Sequence, residues 1–289
     1  MNQKREIKMI GLDLDGTVLN NKKEFSIRNK NAIKEAIKKG IVVLPATGRP
    51  LAGIPKEFLE LEGVRYALSA NGAVIYDILE EKKLYEDCMD FEMVLSILSK
   101  LKEIDIMADV FIEGVGYVER EILAYNIQYA PSEELREYLL KTRNPVDDLL
   151  SFVASKKQPI QKMTINFRTM EDGTLCGKEA VLNVLASYTQ LSVVSGMPTN
   201  LEVTKHTATK GNGLLVLGKL LGIEKDSIMA CGDSGNDREM LRTVGLGVAM
   251  GNATPDVLEV ADFVTTSNEE DGVACAIEHF VLKSLDVCK

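Results

Sequence analysis

The chain has 289 residues, enough for about two domains. Its side chains are 45% hydrophobic and 27% charged, which excludes a disordered or collagen-like polymer. With 34 basic against 43 acidic residues the net charge is −9, a poor match to a nucleic-acid surface, which needs a clustered basic face.

In chain order, the apolar run 7–14 reads as a buried strand that ends in the turn Asp13-Leu14-Asp15-Gly16. Ser26 is placed to cap a helix over 27–39, with Ile27, Ala32, Ile33, Ala36 and Ile37 as its apolar stripe and Gly40 as its stop. A second strand at 41–44 ends at Pro45, a helix follows over 51–61, and a third strand over 65–69. This alternation predicts an α/β core, a Rossmann-like parallel sheet covered by helices. The middle of the chain changes character. A helix at 91–104 leads to a hairpin about 113–116, then helices at 133–140 and 178–187 and strands at 160–167, 190–194 and 200–203. Beyond it the first rhythm returns, with helices at 213–221, 236–243, 255–260 and 272–283 and strands at 227–231, 246–250 and 263–265. The expected layout is an α/β core from 1–84 and 191–289, interrupted by an inserted α+β module at 85–190.

Five cysteines, Cys88, Cys176, Cys231, Cys275 and Cys288, are scattered without a C-x-x-C pair and read as reduced thiols of a cytoplasmic protein. Lys4 and Arg5 give a basic start, but Asp13 and Asp15 interrupt the apolar run before a signal peptide's apolar region is complete. No stretch reaches the ~18 uninterrupted apolar residues of a spanning helix, so no membrane partner is expected. With only two histidines, His206 and His279, a three-histidine metal site is excluded.

The sharpest chemical signal is Asp13-Leu14-Asp15-Gly16-Thr17. In an open α/β sheet ligands sit beyond the carboxyl ends of the strands, and these two acids stand at such an end. A spacing of two puts both carboxylates on one side of extended chain, where they suit Mg²⁺. An EF-hand loop with Gly16 in sixth place would need acids at Gly11 and Lys22, so that reading fails; a plain surface turn is the remaining bland one. Gly232-Asp233-Ser234-Gly235-Asn236-Asp237 follows another strand and forms a cation site with the first acids if the two strands are neighbours. Alternatively Asp233 and Asn236 only cap the next helix. Thr47-Gly48-Arg49 offers a hydroxyl, an amide and a guanidinium to a phosphate, or else a simple helix cap. Lys210 before the 213–221 helix can neutralise a phosphate, with Lys205 and Lys219 as solvated alternatives. Asn71-Gly72 reads as a turn with a minor substrate contact. P-loop, dinucleotide, G-x-S-x-G and zinc-pair fingerprints are absent.

Taken in order, Asp13–Thr17, Thr47-Gly48-Arg49, Lys210-Gly211 and Gly232–Asp237 resemble the haloacid-dehalogenase superfamily, and within it the Cof-type phosphatases with a large α+β cap. Asn71-Gly72-Ala73, Gly251-Asn252-Ala253 and Glu270-Asp271-Gly272-Val273-Ala274 add to the likeness, whereas the segment before Lys210 departs from it with Lys205 and Thr207. The resemblance covers about two-thirds of the chain and implies a Mg²⁺-dependent phosphatase for a small phosphorylated metabolite, a sugar phosphate or a pyridoxal-phosphate-like ester. It implies Asp13 as nucleophile, Asp15 as general acid and base, and Thr47 and Lys210 on the phosphoryl oxygens. Mg²⁺ would be held by Asp13, Asp233 and the main-chain carbonyl of Asp15, with Asp237 behind them. Leu14, Gly48, Arg49, Asn71, Gly72 and Asn236 would contact phosphate or substrate. The cap would close over the site and choose the substrate, with Arg120, Tyr125, Arg136 and Tyr138 as candidate contacts. A phosphomutase, or a phosphometabolite-binding regulator without activity, are the alternatives left by the core motifs.

Overall fold

The computed structural model describes residues 6–283; Lys4, Arg5 and Cys288 lie outside them. Contacts divide the described chain into two compact units, one from residues 6–48, 54–85 and 209–283, the other from Arg49–Gly53 and Glu86–Ala208.

In the first unit β1 (Met9–Leu12) is buried at every position, the mark of a strand covered on both faces. α1 (Ile27–Lys38) begins at Ser26, whose side chain accepts from the Asn29 amide. Ala32, Ile33 and Ala36 are buried, but Ile27 is exposed. At about 100° per residue Ile27 stands about 140° round the helix from Ala32, off the stripe. β2 (Val42–Pro45) follows. The helix expected over 51–61 is reduced to a tight turn at Leu51–Gly53 and one short helix, α2 (Lys56–Leu59). Pro50 and Pro55 have no amide to donate and restrict the residues before them, so a continuous helix cannot form. β3 (Tyr66–Ser69), β4 (Val74–Asp77) and β5 (Lys82–Glu86) make a three-stranded sheet, of which only β3 was expected.

The second unit contains α3 (Phe91–Leu101), β6 (Ile106–Ile112), β7 (Val115–Glu119), α4 (Arg120–Ala124), α5 (Glu133–Thr142), β8 (Arg143–Val146), α6 (Leu149–Lys156), β9 (Lys162–Phe167), α7 (Lys178–Leu185), β10 (Leu191–Val194) and β11 (Asn200–Lys205). Its six strands run in the order β10-β11-β9-β6-β7-β8. The boundary at 190 is therefore corrected: β10 and β11 pair antiparallel with each other and β11 with β9, so they belong to this sheet and the unit runs to Ala208. Strands assigned from local pattern carry no mark of which sheet they join, and hydrogen-bond pairing decided it. One face of the sheet presents Val110, Ile112, Met163, Ile165 and Val203 to an apolar core shared with Val94 and Ile97 of α3, Val153 of α6 and Val181 of α7. Several of the alternate positions are polar and buried, and two ion pairs stand among them: Lys162 Nζ donates to Glu202 at 2.6 Å, and Arg143 donates to Asp109. Burial raises the Asp109 carboxyl above its usual range, and Arg143 opposes that shift.

The chain then returns to the first unit with α8 (Lys210–Leu221), β12 (Ile228–Gly232), α9 (Arg238–Thr243), β13 (Leu246–Ala249), α10 (Pro255–Leu258), β14 (Phe263–Val264) and α11 (Gly272–Ile277). The parallel sheet has the order β14-β13-β12-β1-β2. β1 lies between β12 and β2, and the register pairs Leu12 with Cys231 on one side and with Pro45 on the other. Three strand ends from distant parts of the chain thus finish side by side, at the point where the strand order switches. This is an α/β fold with a Rossmann-like parallel core and a separate α+β insertion.

Candidate active site

The ladder continues one residue past β1, where the Asp13 amide donates to the Cys231 carbonyl at 3.0 Å. Asp13 is therefore delivered beside the loop that opens at Gly232. On the other flank the Ala46 amide donates to Leu12, the Thr47 amide to Leu68, and the Asn71 amide to the Thr47 carbonyl. The three loops after β1, β2 and β3 are stitched together by main chain alone, which carries Thr47 and Asn71 to the same edge as Asp13. Thr47 and Asn71 are buried there, and Gly48 is half-buried.

Lys210 is the first residue of α8, and Thr209 caps it by accepting from the Asn212 amide at 3.1 Å. Its Nζ donates to Asp13 Oδ1 at 2.6 Å and to Asp237 Oδ1 at 2.7 Å, with all three groups buried. Burial alone would lower the lysine's pKa; the carboxylates of Asp13 and Asp237 outweigh it and hold the ammonium above its ordinary range. The approach of α8 depends on Gly72, which takes φ +100° and has the Thr209 carbonyl oxygen only 2.1 Å from where a Cβ would stand. Asn71, at φ +57°, shares that turn, and its side-chain oxygen accepts from Asn236 Nδ2 at 3.2 Å.

Asp237 holds the second acidic loop in shape. Its Oδ2 accepts from the amides of Asp233 and Ser234 at 3.0 and 3.1 Å while Oδ1 takes Lys210. Asp233 is steadied from the first loop by Thr17, whose hydroxyl donates to Asp233 Oδ1 at 2.8 Å. Asp13, Asp233 and Asp237 each present a carboxylate oxygen within 4.8 Å of the others. Burial raises the Asp13 carboxyl well above its ordinary range, Lys210 opposes this, and the neighbouring acids add to it. Burial, together with Asp237, pushes Asp233 up to about 7. Both acids are thus costly as bare anions, and a hard divalent cation bound by oxygen atoms matches the donor set.

Gly16 is needed where these loops meet. It takes φ +83°, and a Cβ there would fall 2.4 Å from Asp233 Oδ2. Gly16→Ala is expected to lose about 1–2 kcal/mol from the left-handed backbone alone and to weaken cation binding by displacing Asp233. Urea unfolding and a Mg²⁺ titration of the variant check the two effects separately.

A model of haloacid dehalogenase-like hydrolases matches residues 10–277. The chain belongs to that family. Phosphatase YwpJ of Bacillus subtilis is 32% identical over 95% of this chain and 100% of its own length. The 5-amino-6-(5-phospho-D-ribitylamino)uracil phosphatase YcsE of the same organism is also 32% identical, covering 96% of this chain and 97% of its own. Among solved structures, the HAD subclass IIB sugar phosphatase BT4131 superposes with a TM-score of 0.78 at 25% identity, over 94% of this chain and 98% of that one. This haloacid dehalogenase-like hydrolase is a phosphatase of the Cof type.

The phosphatase gathers most of the residues expected from sequence into one unit: Asp13, Asp15, Thr47, Gly48, Asn71, Gly72, Lys210, Asp233, Asn236 and Asp237. Leu14 stands between the two acids with its side chain fully buried, so only its main chain faces this edge; its carbonyl accepts from the Leu19 amide at 2.9 Å. Asp15 is half-exposed and pairs with Lys23. Arg49 groups with the other unit, where its guanidinium donates to the Gly53 carbonyl at 2.8 Å and lies over the Tyr138 ring. Arg136 donates to the Ala130 carbonyl, Arg120 pairs with Asp147 at the surface, and Tyr125 is exposed. Three supports escaped the sequence reading as functional: Thr17, Lys23 and Asn252. Asn252 Nδ2 donates to the Gly16 carbonyl at 2.9 Å, and its oxygen accepts from the Asn268 amide at 2.9 Å. Only the fixed order of the motifs hinted at Thr17 and Asn252; isolated polar residues in turns carry no signal of a partner more than 200 positions away.

Proposed function

We propose that the chain is a Mg²⁺-dependent phosphatase that hydrolyses a small phosphorylated metabolite, a sugar or polyol phosphate, through a phosphoryl group carried on Asp13. The observation that supports this reading best is the buried Asp13 held at 2.6 Å by Lys210 with two further carboxylates beside it. A carboxylate and a phosphate dianion repel, and preorganised positive charge is the usual way such a barrier is lowered. Bound by Asp13, Asp233 and the main-chain carbonyl of Asp15, magnesium would supply the rest of that charge; Asp237, its two oxygens engaged by Lys210 and the loop amides, acts behind the ligands.

The chain's own groups then divide the work. An Asp13 oxygen forms a bond to phosphorus as the ester oxygen leaves, and Asp15 gives that oxygen its proton. Asp15 next takes a proton from water as the water attacks phosphorus, the bond to Asp13 breaks and inorganic phosphate departs. Thr47 and Lys210 hold phosphoryl oxygens through both steps, with Gly48, Asn71 and Asn236 at the rim. These groups act on any phosphate ester, so selectivity is assigned to the inserted unit. A polyol phosphate is favoured because YcsE, similar over nearly the whole chain, is named for a phosphoribityl substrate.

The test is a panel of phosphorylated metabolites assayed for phosphate release with Mg²⁺. Hydrolysis of polyol or sugar phosphates is expected, and a panel left untouched would sink the proposal. Isomerised products appearing only with added bisphosphate would replace hydrolysis by a mutase reaction. Treatment with a chelator is expected to remove turnover and added Mg²⁺ to restore it; full activity in excess chelator would eliminate the metal.

A further inference from the structure

Lys23 has no part in the mechanism above, yet its Nζ donates to Asp15 Oδ1 at 2.8 Å, with the two side chains 53% and 39% exposed. On a loose loop such a pair would contribute little, because side-chain entropy opposes it. The Lys23 turn is held from several sides. Asn20 Oδ1 accepts from the amides of Lys22 and Glu24 at 3.0 and 2.9 Å, and the Lys23 amide donates to the Asn20 carbonyl at 2.9 Å. Leu19 bridges to Asp15 on one side and to Phe25 on the other. From far along the chain, Asn268 Nδ2 donates to the Leu19 carbonyl at 3.1 Å and to Asn21 Oδ1 at 3.2 Å, and Glu269 accepts from the Asn21 amide at 2.6 Å. Lys23 itself takes φ +61°, a region that a lysine keeps only where its surroundings impose it.

We propose that Lys23 is a positioning residue for Asp15: the pinned turn aims its ammonium at Oδ1 and so fixes the carboxyl group in one orientation, with Oδ2 serving the ester oxygen. The inference rests on the reading of Asp15 as the proton donor. Lys23 gives and takes no proton. The proton passes from Asp15 to the leaving oxygen while the bond from that oxygen to phosphorus breaks and the bond from Asp13 forms.

The readout is the demand of the leaving group for that proton. Phenyl phosphate and p-nitrophenyl phosphate are close in shape, but p-nitrophenoxide departs far more readily without protonation. The ratio of their kcat/KM values reports the transfer step, since kcat/KM ends at release of the alcohol. In the full-length protein with Mg²⁺, Lys23→Met is expected to lower the phenyl to p-nitrophenyl ratio by about fivefold, the scale of a well-placed exposed ion pair. Asn20→Ala, which releases the turn but keeps the lysine, should move the ratio the same way, and Lys23→Arg should recover most of it. Asp15→Asn run beside them should lower the ratio further. If Asp15→Asn changes the ratio while Lys23→Met and Asn20→Ala reduce both esters equally, the positioning role is overturned and the acid remains. If Asp15→Asn also reduces both equally, the reading of Asp15 fails and the inference with it. Should Lys23→Met not fold, Asn20→Ala and Lys23→Arg decide the question.

Discussion

Asp13→Asn is expected to leave a folded protein that has lost at least about 10⁴-fold in phosphatase turnover. Asn has nearly the shape of Asp, so the main-chain ladder that brings residue 13 beside Cys231 is undisturbed. What changes is the nucleophile: a neutral amide oxygen does not form a stable bond to phosphorus. Lys210 keeps its contact with Asp237 at 2.7 Å, and one of three crowded acids has been discharged, so thermal stability should hold. The check is phosphate release in the steady state, together with trapping of labelled phosphate on the protein. The wild type should show a transient, acid-stable and base-labile label that the variant lacks. Label in the variant would move the nucleophile elsewhere.

Lys210→Met is expected to fail in two ways at once. Removal of a preorganised charge beside a phosphoryl group costs about 10²–10³-fold in turnover. The same change leaves Asp13 and Asp237 buried without the cation that both now contact, at 2.6 and 2.7 Å. Breaking a buried ion pair from one side costs about 3–5 kcal/mol, because a stranded charge remains. Methionine keeps the length and volume of the lysine stem, so packing is not the cause. Urea unfolding of wild type and variant measures the stability loss. Lys210→Arg separates the effects: it keeps the charge but not the fit, and is expected to regain stability more than turnover. A Lys210→Met protein as stable and as active as the wild type would remove the lysine from the site.

The two predictions differ in how far sequence alone could have carried them. Asp13 and Asp15 stand in an unusual five-residue signal, and their spacing at the end of an apolar run already implied a pair of carboxylates at a sheet edge. Asp237 is another matter. In sequence it is one acid of a loop; in the fold its two oxygens join Lys210 to the amides of Asp233 and Ser234, so it shapes the loop that carries Asp233. Thr17 and Asn252 likewise became supports only once the loops after β1, β12 and β13 were side by side. Arg49 stands two residues after Thr47 in sequence but groups with the other unit, where it donates to the Gly53 carbonyl, a placement that proximity along the chain does not reveal.

The elements fared the same way. Apolar runs with clear stops were legible as strands, and Ser26 as a cap, because these depend on neighbours a few positions away. The break of the 51–61 helix was local too, and Pro50 and Pro55 carried its cause. The fate of β10 and β11 was not local: whether a strand joins the parallel core or the antiparallel sheet of the insertion is set by hydrogen bonds to β9, which lies across a helix and two loops.

By itself the sequence determined an α/β core with acids at its strand ends, since periodicity and turn chemistry are properties of short stretches of chain; the enzymatic reading came from the resemblance of its ordered motifs to a known family. Only the tertiary structure decided which acids share one cation's reach, which lysine balances them, and that Lys23 faces Asp15 from a turn tied down by Asn268. Electrostatic coupling falls off within a few ångströms, and such distances between remote residues exist only after folding.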